Sequence, residues 1–273
     1  MNPGNQDNDS GIEDQFDLVV IGGGITGAGV FNEAASMGLK TILLEAEDFA
    51  WGTSSRSSKM VHGGLRYLKQ GRFLLTRASV KEREMLLKDY PGLIRPLDFL
   101  LPIYRDYGPS HMSMKIGLSI YSRLAGQRQH RSFTKEETLE WNPLIREDHL
   151  TSGVGFKDAQ VDDARLVLRL ISDGCLAGGT AMNYARVTGV ERDRSGHVAA
   201  VTVLESQTGR ETGIRTTAVI NATGAWAEHL HPSPERGRHL RPLRGSHLIF
   251  PGTIFPLDRV LGFTHPEDSR SIF

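Results

Sequence analysis

Three glycines near the start of the chain are spaced for binding a ligand that contains phosphate. Gly22, Gly24 and Gly27 follow the pattern G-x-G-x-x-G. The first glycine allows a tight turn, the second lets the backbone approach a pyrophosphate, and the third permits close packing of helix on strand. Glu45 follows roughly 20 residues later, where a carboxylate accepts a hydrogen bond from a ribose 2′-hydroxyl. The pattern predicts a dinucleotide site, and the charge of Glu45 disfavours the 2′-phosphate of NADP.

The residues around these glycines predict the elements that such a site requires. Residues 17–21 form a short apolar run with β-branched side chains, and residues 28–37 have the pattern of a helix. Residues 40–45 then form a second apolar run that ends in the acid. In the predicted βαβ unit, the glycine turn lies at the helix N-terminus, where N–H groups and the helix dipole favour an anion. An ordinary tight turn between strand and helix is the alternative interpretation.

A second polar segment follows the predicted acid. Residues 53–59 (TSSRSSK) are rich in hydroxyl and cationic side chains, and a His-Gly-Gly sequence comes shortly after them. Hydroxyl, cationic and backbone N–H groups held close together are typical of a site for phosphate oxygens. A serine-rich solvated loop is the alternative, although such linkers seldom run directly into an apolar, aromatic helix start.

Composition limits the classes of protein to which the chain can belong. Its 273 residues are 39% hydrophobic and 23% charged, as in a globular chain of one large or two smaller domains. There are 32 basic and 32 acidic residues, so no net positive charge would attract nucleic acid. The single cysteine, Cys175, excludes an internal disulfide and a multi-cysteine metal site. The apolar helical pattern around Cys175 predicts a packing role, and no metal site is predicted.

The sequence predicts neither a signal peptide nor a membrane-spanning segment. Residues 1–14 are polar and acidic, which predicts a flexible leader rather than a structural element. They lack the basic and apolar regions of a signal peptide, and the chain has no run of about 18 consecutive apolar residues. These features predict a cytoplasmic protein without a membrane-spanning segment.

Several motifs in combination resemble one enzyme family. They are residues 22–29 (GGGITGAG), 44–46 (LEA), 53–68 (TSSRSSKMVHGGLRYL), 162–168 (DDARLVL), 221–226 (NATGAW) and 245–247 (GSH). In type, order and approximate spacing they are similar to motifs of the FAD-dependent glycerol-3-phosphate dehydrogenases, and the resemblance extends from about residue 16 to the end. It implies an α/β fold, with a Rossmann-like FAD-binding domain of D-amino acid oxidase-like architecture and an interleaved α+β substrate domain.

The resemblance implies FAD as the cofactor. A nicotinamide domain has no need of a second polar loop that reaches past the pyrophosphate, which also favours a flavin. By resemblance, Thr53, Ser54 and Ser58 line the pyrophosphate and ribityl chain, and the backbone of Val187 meets the adenine. Gly224 belongs to a short turn that passes near the cofactor, although a purely structural turn is possible there. The full set is Gly22, Gly24, Gly27, Glu45, Ala46, Thr53, Ser54, Ser58, His62, Gly63, Gly64, Leu65, Val187 and Gly224, of which His62 to Leu65 would lie along the flavin.

The substrate implied by the family is sn-glycerol 3-phosphate, which would be oxidised to dihydroxyacetone phosphate by hydride transfer to FAD. The resemblance assigns Arg66 to the phosphate or developing charge and Tyr67 to positioning. A surface salt bridge is the alternative for Arg66. His247 is the candidate general base by its place in the Gly-Ser-His motif, just before residues 248–250, which predict an apolar strand. An unperturbed histidine suits removal of a hydroxyl proton near neutrality. A structural histidine is the alternative there.

The respiratory members of the family pass electrons to a quinone, which implies contact with the cytoplasmic face of the inner membrane. Residues 111–131 mix apolar with basic side chains and are the candidate for a peripheral membrane helix. An ordinary domain helix is the alternative. A homodimer is a further expectation, and an oxidase that uses oxygen, an amine-oxidising relative and an inactive remnant remain open.

The predicted domains alternate along the chain. After the leader, residues 15–75 and 161–226 are expected to form the FAD-binding domain. Residues 76–160 are expected to form a helical insertion that belongs to the substrate domain, and residues 227–273 to begin the sheet of that domain. Members of the family continue beyond the point that corresponds to Phe273, so the sequence predicts an N-terminal portion that is incomplete at its C-terminal end.

Overall fold

A computed structural model describes residues 15–124, 130–230, 240–254, 257, 259–267 and 271–272. The side chains of Arg66, Lys69 and Ser271 lie outside this description, as does the predicted leader over residues 1–14. The strands are β1 (Gln15–Ile21), β2 (Thr41–Leu44), β3 (Met60–Val61), β4 (Ile94–Tyr104), β5 (His130–Phe133), β6 (Leu150–Val161), β7 (Thr180–Met182), β8 (Ala185–Arg192), β9 (Val198–Glu205), β10 (Glu211–Asn221), β11 (Val260–Leu261), β12 (Phe263–Thr264) and β13 (Ser271–Ile272). The α-helices are α1 (Ile25–Ser36), α2 (Leu65–Lys69), α3 (Phe73–Asp89), α4 (His111–Leu124), α5 (Lys135–Trp141) and α6 (Asp163–Leu176).

The chain folds into two compact units. Unit 1 is drawn from residues 1–57 and 163–245, and unit 2 from residues 58–162 and 246–273. Each unit is therefore assembled from two separate stretches of the chain. The changes from one unit to the other fall after Ser57, after Asp162 and after Gly245.

Unit 1 is built on a six-stranded sheet in the order β7-β2-β1-β10-β9-β8. The first four strands are parallel, whereas β9 pairs antiparallel with both β10 and β8. The predicted βαβ unit is present as β1, α1 and β2, with Val20 of β1 opposite Leu43 of β2. From Leu18 onwards, β1 is apolar on both faces because both faces of this parallel sheet are covered.

Two apolar layers cover the sheet of unit 1. On one face, Val20 and Leu43 pack against α1 and α6 through Phe31 and Val167. On the other face, a second group that includes Val19 of β1 packs against residues of β8, β9 and β10. This layering fixes the C-terminal end of β1, from which the glycine turn begins.

Unit 2 is built on antiparallel pairing of two long strands, of 11 and 12 residues. Strands β4 and β6 pair over most of their length, and the sheet order is β11-β4-β6-β3, with β5 also paired to β6. A core of Val80, Leu118, Val154 and Phe156 joins this sheet to α3 and α4. Residues 76–160, expected to be a helical insertion, therefore contain long strands as well as helices.

Two other expectations meet a different structure. Residues 248–250, predicted as an apolar strand, have no regular secondary structure, and Leu248 and Ile249 are 82% and 93% exposed. Cys175 is exposed on α6 rather than packed in the core, so its predicted packing role is wrong. Of the apolar residues predicted for a membrane helix, Met114, Leu118, Ile120 and Leu124 pack into the core of unit 2. Within the described residues, no helix combines the length and apolar character needed to cross a membrane.

Candidate dinucleotide-binding site

The glycine turn of unit 1 has no room for side chains at two positions. Gly22 has a φ of +108°, and a Cβ built on it would lie 2.6 Å from the carbonyl oxygen of Ala222. A Cβ on Gly27 would lie 1.8 Å from the carbonyl oxygen of Gly22. Because both obstacles are backbone atoms, the turn requires glycine at these two positions.

The N-terminus of α1 presents donors suited to an anion. The helical ladder begins with the bond from the Ala28 N–H to the Gly24 oxygen at 2.9 Å, and the N-cap Gly24 has no side chain to cap the first turn. The Ile25 N–H donates to Ser54 Oγ at 2.9 Å, and the Cβ of an alanine at Gly24 would lie 3.1 Å from the same oxygen. The N–H of Ile25 in the first turn and the Ser54 hydroxyl therefore lie together at the start of α1, where the helix N-terminus favours an anion.

Glu45 lies directly after β2 and next to the turn. One oxygen of its half-buried carboxylate accepts from the Gly23 N–H at 2.6 Å, and the other accepts from the Glu47 N–H at 2.9 Å. The Ala185 N–H donates to the Glu45 carbonyl at 2.8 Å, which brings the start of β8 to this edge. The carboxylate thus lies beside the glycine turn, with lone pairs remaining for a ribose hydroxyl.

A second turn, residues 222–224, contacts the first. The Ala222 N–H donates to the Ile21 carbonyl at 2.8 Å, and Asn221 Oδ1 accepts from both the Thr223 N–H and its hydroxyl, at 3.2 and 2.7 Å. Gly224 follows with a φ of +58°. Val187, the predicted adenine contact, lies on β8 with its side chain buried in the core, so its backbone is the part left to meet a ligand.

The serine-rich segment begins in unit 1 as a short 3₁₀ helix, Thr53–Ser55, which leaves Thr53 exposed and Ser54 half-buried. Its later part is anchored by Asp163 at the start of α6, whose carboxylate accepts from the Ser57 hydroxyl at 2.7 Å and the Ser57 N–H at 3.2 Å. Sequence analysis did not identify this anchoring role, although Asp163 lies in the motif at residues 162–168.

A pair of tryptophans next to the serine segment was also missed. The ring centroids of Trp51 and Trp226 are 5.9 Å apart, and the guanidinium of Arg56 lies 5.2 Å from the centroid of Trp51. A Cβ on Gly52 would lie 3.2 Å from the ring of Trp226. The motif NATGAW was a usable signal, because Trp226 follows the second turn directly.

In unit 2, the segment after β3 carries several predicted site residues. His62 is exposed and Tyr67 is half-buried, and their ring centroids are 6.4 Å apart. Gly64 is the left-handed N-cap of α2, with a φ of +77°, and a Cβ on it would lie 2.3 Å from Cδ2 of Tyr67. Ser58 is exposed and Leu65 half-buried. The backbone of Arg66 belongs to α2, but its side chain lies outside the described residues.

Three charged or polar side chains are buried behind this segment. Arg83 Nη1 donates to Asp158 Oδ1 at 2.7 Å and to the Tyr121 hydroxyl at 3.0 Å. Burial raises the pKa of Asp158, while Arg83 and the Gly63 N–H act in the opposite direction. Burial also raises the pKa of Tyr121, which keeps its hydroxyl protonated. For Arg83, burial opposes the charge, but Tyr121, Asp158 and Glu84 outweigh it and raise the pKa.

His247, the predicted base, lies in an exposed stretch of unit 2 without regular secondary structure. Among the described residues, no hydrogen bond or ion pair engages its imidazole. A cleft of about 380 Å³ in unit 1, lined by residues such as Thr188, Arg192 and His229, includes none of the predicted site residues. The described part of the chain also contains no cluster of three His, Cys, Asp or Glu residues that could hold a metal ion.

The residues present in unit 1 fit a dinucleotide. The helix N-terminus and the Ser54 hydroxyl suit a pyrophosphate, and the Glu45 carboxylate beside Gly23 suits a ribose hydroxyl. A side chain at Gly24 would fill part of the space in front of Ser54. The hydrogen-bonding groups and the free space at this turn are therefore suited to a dinucleotide cofactor.

Comparison with known proteins gives three kinds of match. The DAO family, described as FAD dependent oxidoreductase, matches residues 17–272. The aerobic glycerol-3-phosphate dehydrogenase of Staphylococcus aureus (strain MRSA252) is 36% identical over 265 residues, which cover 95% of this chain and 48% of the relative. The chain thus spans about half the length of the curated relatives it matches.

Among solved structures, the glycerol-3-phosphate dehydrogenase from Bacillus halodurans, complexed with FAD, matches with a TM-score of 0.71 and 30% identity, over 95% of this chain and 45% of that one. The L-proline dehydrogenase from P. horikoshii matches with a TM-score of 0.64 and 21% identity, over 80% of this chain and 55% of that one. The latter likeness concerns the fold alone. Together, the matches confirm the predicted α/β fold class of D-amino acid oxidase-like architecture.

Proposed function

The chain belongs to the FAD dependent oxidoreductases, and we propose that it uses FAD to oxidise sn-glycerol 3-phosphate to dihydroxyacetone phosphate. Membership of this family confirms the prediction of FAD as the cofactor. The choice of substrate is supported by the similarity to glycerol-3-phosphate dehydrogenases over nearly the whole chain. Because the chain spans about half of those relatives, activity of the 273-residue chain itself is part of the proposal.

The observation that carries the proposal is the glycine turn with its polar neighbours. We assign the pyrophosphate to the α1 N-terminus at Gly22, Gly24 and Gly27, together with the hydroxyls of Thr53 and Ser54. Glu45, with the adjacent Ala46, is assigned to the adenosine ribose. The backbone of Val187 is assigned to the adenine and the Gly224 turn to the cofactor. These assignments are supported by the bonds that join Ser54 to Ile25 and Glu45 to Gly23.

For unit 2, the family resemblance assigns Ser58 to the phosphate and ribityl region and His62, Gly63, Gly64 and Leu65 to the flavin. When bound, FAD supplies the acceptor for the hydride that leaves C2 of the substrate. Arg66 is assigned to the substrate phosphate, because a guanidinium binds phosphate oxygens in a bidentate manner. Tyr67 positions the substrate, and His247 takes the proton of the C2 hydroxyl.

The electron acceptor is proposed to be a quinone, with the protein peripheral at the cytoplasmic face of the membrane. On α4, Met112 and Ile116 are exposed at 64% and 55%, and Lys115 is exposed between them. Two apolar side chains flanking a cation favour contact with an anionic lipid surface. Binding to vesicles that contain anionic lipid, and its loss in Ile116→Asp but not in Leu176→Asp, at an exposed apolar residue of α6, tests this part.

Anaerobic reduction tests the proposed function. The chain is loaded with FAD, oxygen is removed, and sn-glycerol 3-phosphate is added while the visible flavin absorbance is followed. The absorbance is expected to bleach, whereas glycerol, which lacks the phosphate, leaves it unchanged. Persistence of the band with a bound flavin would refute the substrate. Readmission of oxygen then separates the acceptors, because rapid formation of hydrogen peroxide would indicate an oxidase in place of a quinone-linked dehydrogenase.

A further inference from the structure

Arg83 and Asp158 form a buried ion pair next to residues 62–64, which connect β3 to α2 in unit 2. The side chain of Arg83, on α3, is 1% exposed, and that of Asp158, on β6, is 4% exposed. The outer edge of the Arg83 guanidinium is bound by Glu84 through Nε and Nη2 at 3.2 and 2.6 Å, and Glu84 is 31% exposed. The guanidinium therefore binds two carboxylates, an outer one from Glu84 near solvent and an inner one from Asp158 in the core.

The Asp158 carboxylate also binds the backbone of the segment that follows β3. Strand β3 pairs with β6 through Met60 opposite Gln160 and Val61 opposite Ala159, and the ladder ends there. Beyond this point, Asp158 Oδ1 accepts from the Gly63 N–H at 3.1 Å. A side-chain carboxylate thus continues the pairing of the segment after the backbone ladder has stopped.

Gly63 is confined from the other side as well. A Cβ on Gly63 would lie 2.2 Å from the Tyr121 hydroxyl and 2.4 Å from Cγ2 of Val80. The Tyr121 hydroxyl itself lies 3.5 Å from Asp158 Oδ2 and accepts from Arg83. Residues of α3, α4 and β6 therefore converge on one peptide group in the turn between His62 and α2.

We propose that Asp158 and Arg83 are positioning residues that hold the turn at Gly63, and with it His62 and the start of α2, which carries Arg66 and Tyr67. This inference rests on the proposed function for the roles of His62, Arg66 and Tyr67. A buried ion pair adds little net stability, because its desolvation cost offsets the attraction between its charges, and an apolar pair of similar volume often stabilises as well. An apolar pair, however, could not accept the Gly63 N–H, so holding this turn is what the charged pair adds.

Amide hydrogen exchange of residues 58–68 tests the proposal without depending on activity. In Asp158→Leu, we expect amide exchange at Gly63 to become about tenfold faster, because one buried hydrogen bond is lost. Affinity for FAD, measured by flavin fluorescence, should fall by a similar factor. Asp158→Asn retains an oxygen in place of Oδ1, and it should restore both readouts towards the wild-type values. Recovery of both readouts in Asp158→Asn would show that the oxygen that accepts from Gly63 is needed, and that the charge of Asp158 is not.

Glu84→Leu is the matched control, since it removes the outer hydrogen-bond acceptor from the same guanidinium and leaves Gly63 untouched. It should leave exchange over residues 58–68 as in the wild type. Should Asp158→Leu fail to fold, Arg83→Met/Asp158→Leu carries the test, because no buried charge remains unpaired. Wild-type exchange at Gly63 in a folded Leu variant would overturn the proposal. Failure of the proposed function would appear separately, as a wild-type chain that is not reduced by sn-glycerol 3-phosphate.

Discussion

Gly27 and Gly29 lie two residues apart in α1 but in different surroundings. A Cβ on Gly27 would meet the Gly22 carbonyl at 1.8 Å, whereas one on Gly29 would meet nothing within 4 Å. We expect Gly27→Ala to destabilise the protein by about 3 kcal/mol, because backbone must move. Gly29→Ala should stabilise it by about 1 kcal/mol through helix propensity. Denaturant unfolding of both variants measures this difference, and equal stabilities would contradict the geometry of the turn.

The role of His247 can be tested by comparison with a histidine outside every assigned site. If His247 takes the hydroxyl proton, His247→Gln should slow flavin reduction by sn-glycerol 3-phosphate by about 100-fold or more. His197→Gln is the control, since His197 lies 82% exposed in the turn between β8 and β9. Rapid anaerobic mixing measures both rates. The same rate in the two variants would remove His247 from the mechanism.

Sequence reasoning at the residue scale succeeded where partners are close in the chain and failed where they are distant. The glycine turn is local, so its spacing alone identified it. Asp158 lies 75 residues from Arg83 and 95 from Gly63, and no local pattern relates them. Their meeting is a product of the unit 2 sheet, which has to be known first.

At the scale of elements, α6 packs a glycine against a large aromatic side chain of α1. A Cβ on Gly174 of α6 would lie 2.5 Å from the ring of Phe31, which is fully buried on α1. We expect Gly174→Ala to destabilise the protein by about 2 kcal/mol, because the ring cannot move without overpacking its neighbours. Gly117→Ala in α4, where the added Cβ meets nothing within 4 Å, is the control. The melting temperature of Gly174→Ala should lie below those of the wild type and Gly117→Ala, and an unchanged melting temperature would contradict this packing.

The boundaries of α1 and β2 were predictable because glycines and apolar periodicity delimit them. Strand β4 was harder to predict, since Pro96 and Pro102 are unfavourable within a central strand. In the described structure, β11 covers only Phe99 and Leu100 of β4. Both prolines therefore lie where β4 pairs with β6 alone, and an edge position tolerates their missing N–H groups.

At the scale of the whole molecule, the described stretch at residues 240–254 exposes an unusual amount of apolar surface. Leu243, Leu248, Ile249 and Ile254 are exposed at 86%, 82%, 93% and 68%. We expect concentration-dependent self-association through this stretch, since apolar surfaces of this kind promote association. Sedimentation of Leu248→Ser/Ile249→Ser should show less association than the wild type. Leu176→Ser, at an isolated residue 85% exposed on α6, is the control, and equal association in both variants would exclude this stretch.

The sequence motifs implied the family correctly, because phosphate binding and flavin contact restrict residue types strongly. They did not define the path of residues 240–254, where apolar side chains suggested a buried strand at residues 248–250. A strand forms only where a neighbouring strand or layer covers it, and the described chain provides neither at these residues. Burial depends on the whole assembly of elements, and local hydrophobicity cannot specify it.

Titration of the purified apo chain with FAD, followed by quenching of flavin fluorescence, tests the central claim most directly. The α1 N-terminus, Ser54 and Glu45 predict saturation at one FAD for each chain and much weaker binding of NADP, whose 2′-phosphate Glu45 repels. A folded chain that takes up no FAD, or that binds NADP equally well, would contradict the account of the glycine turn as a flavin dinucleotide site.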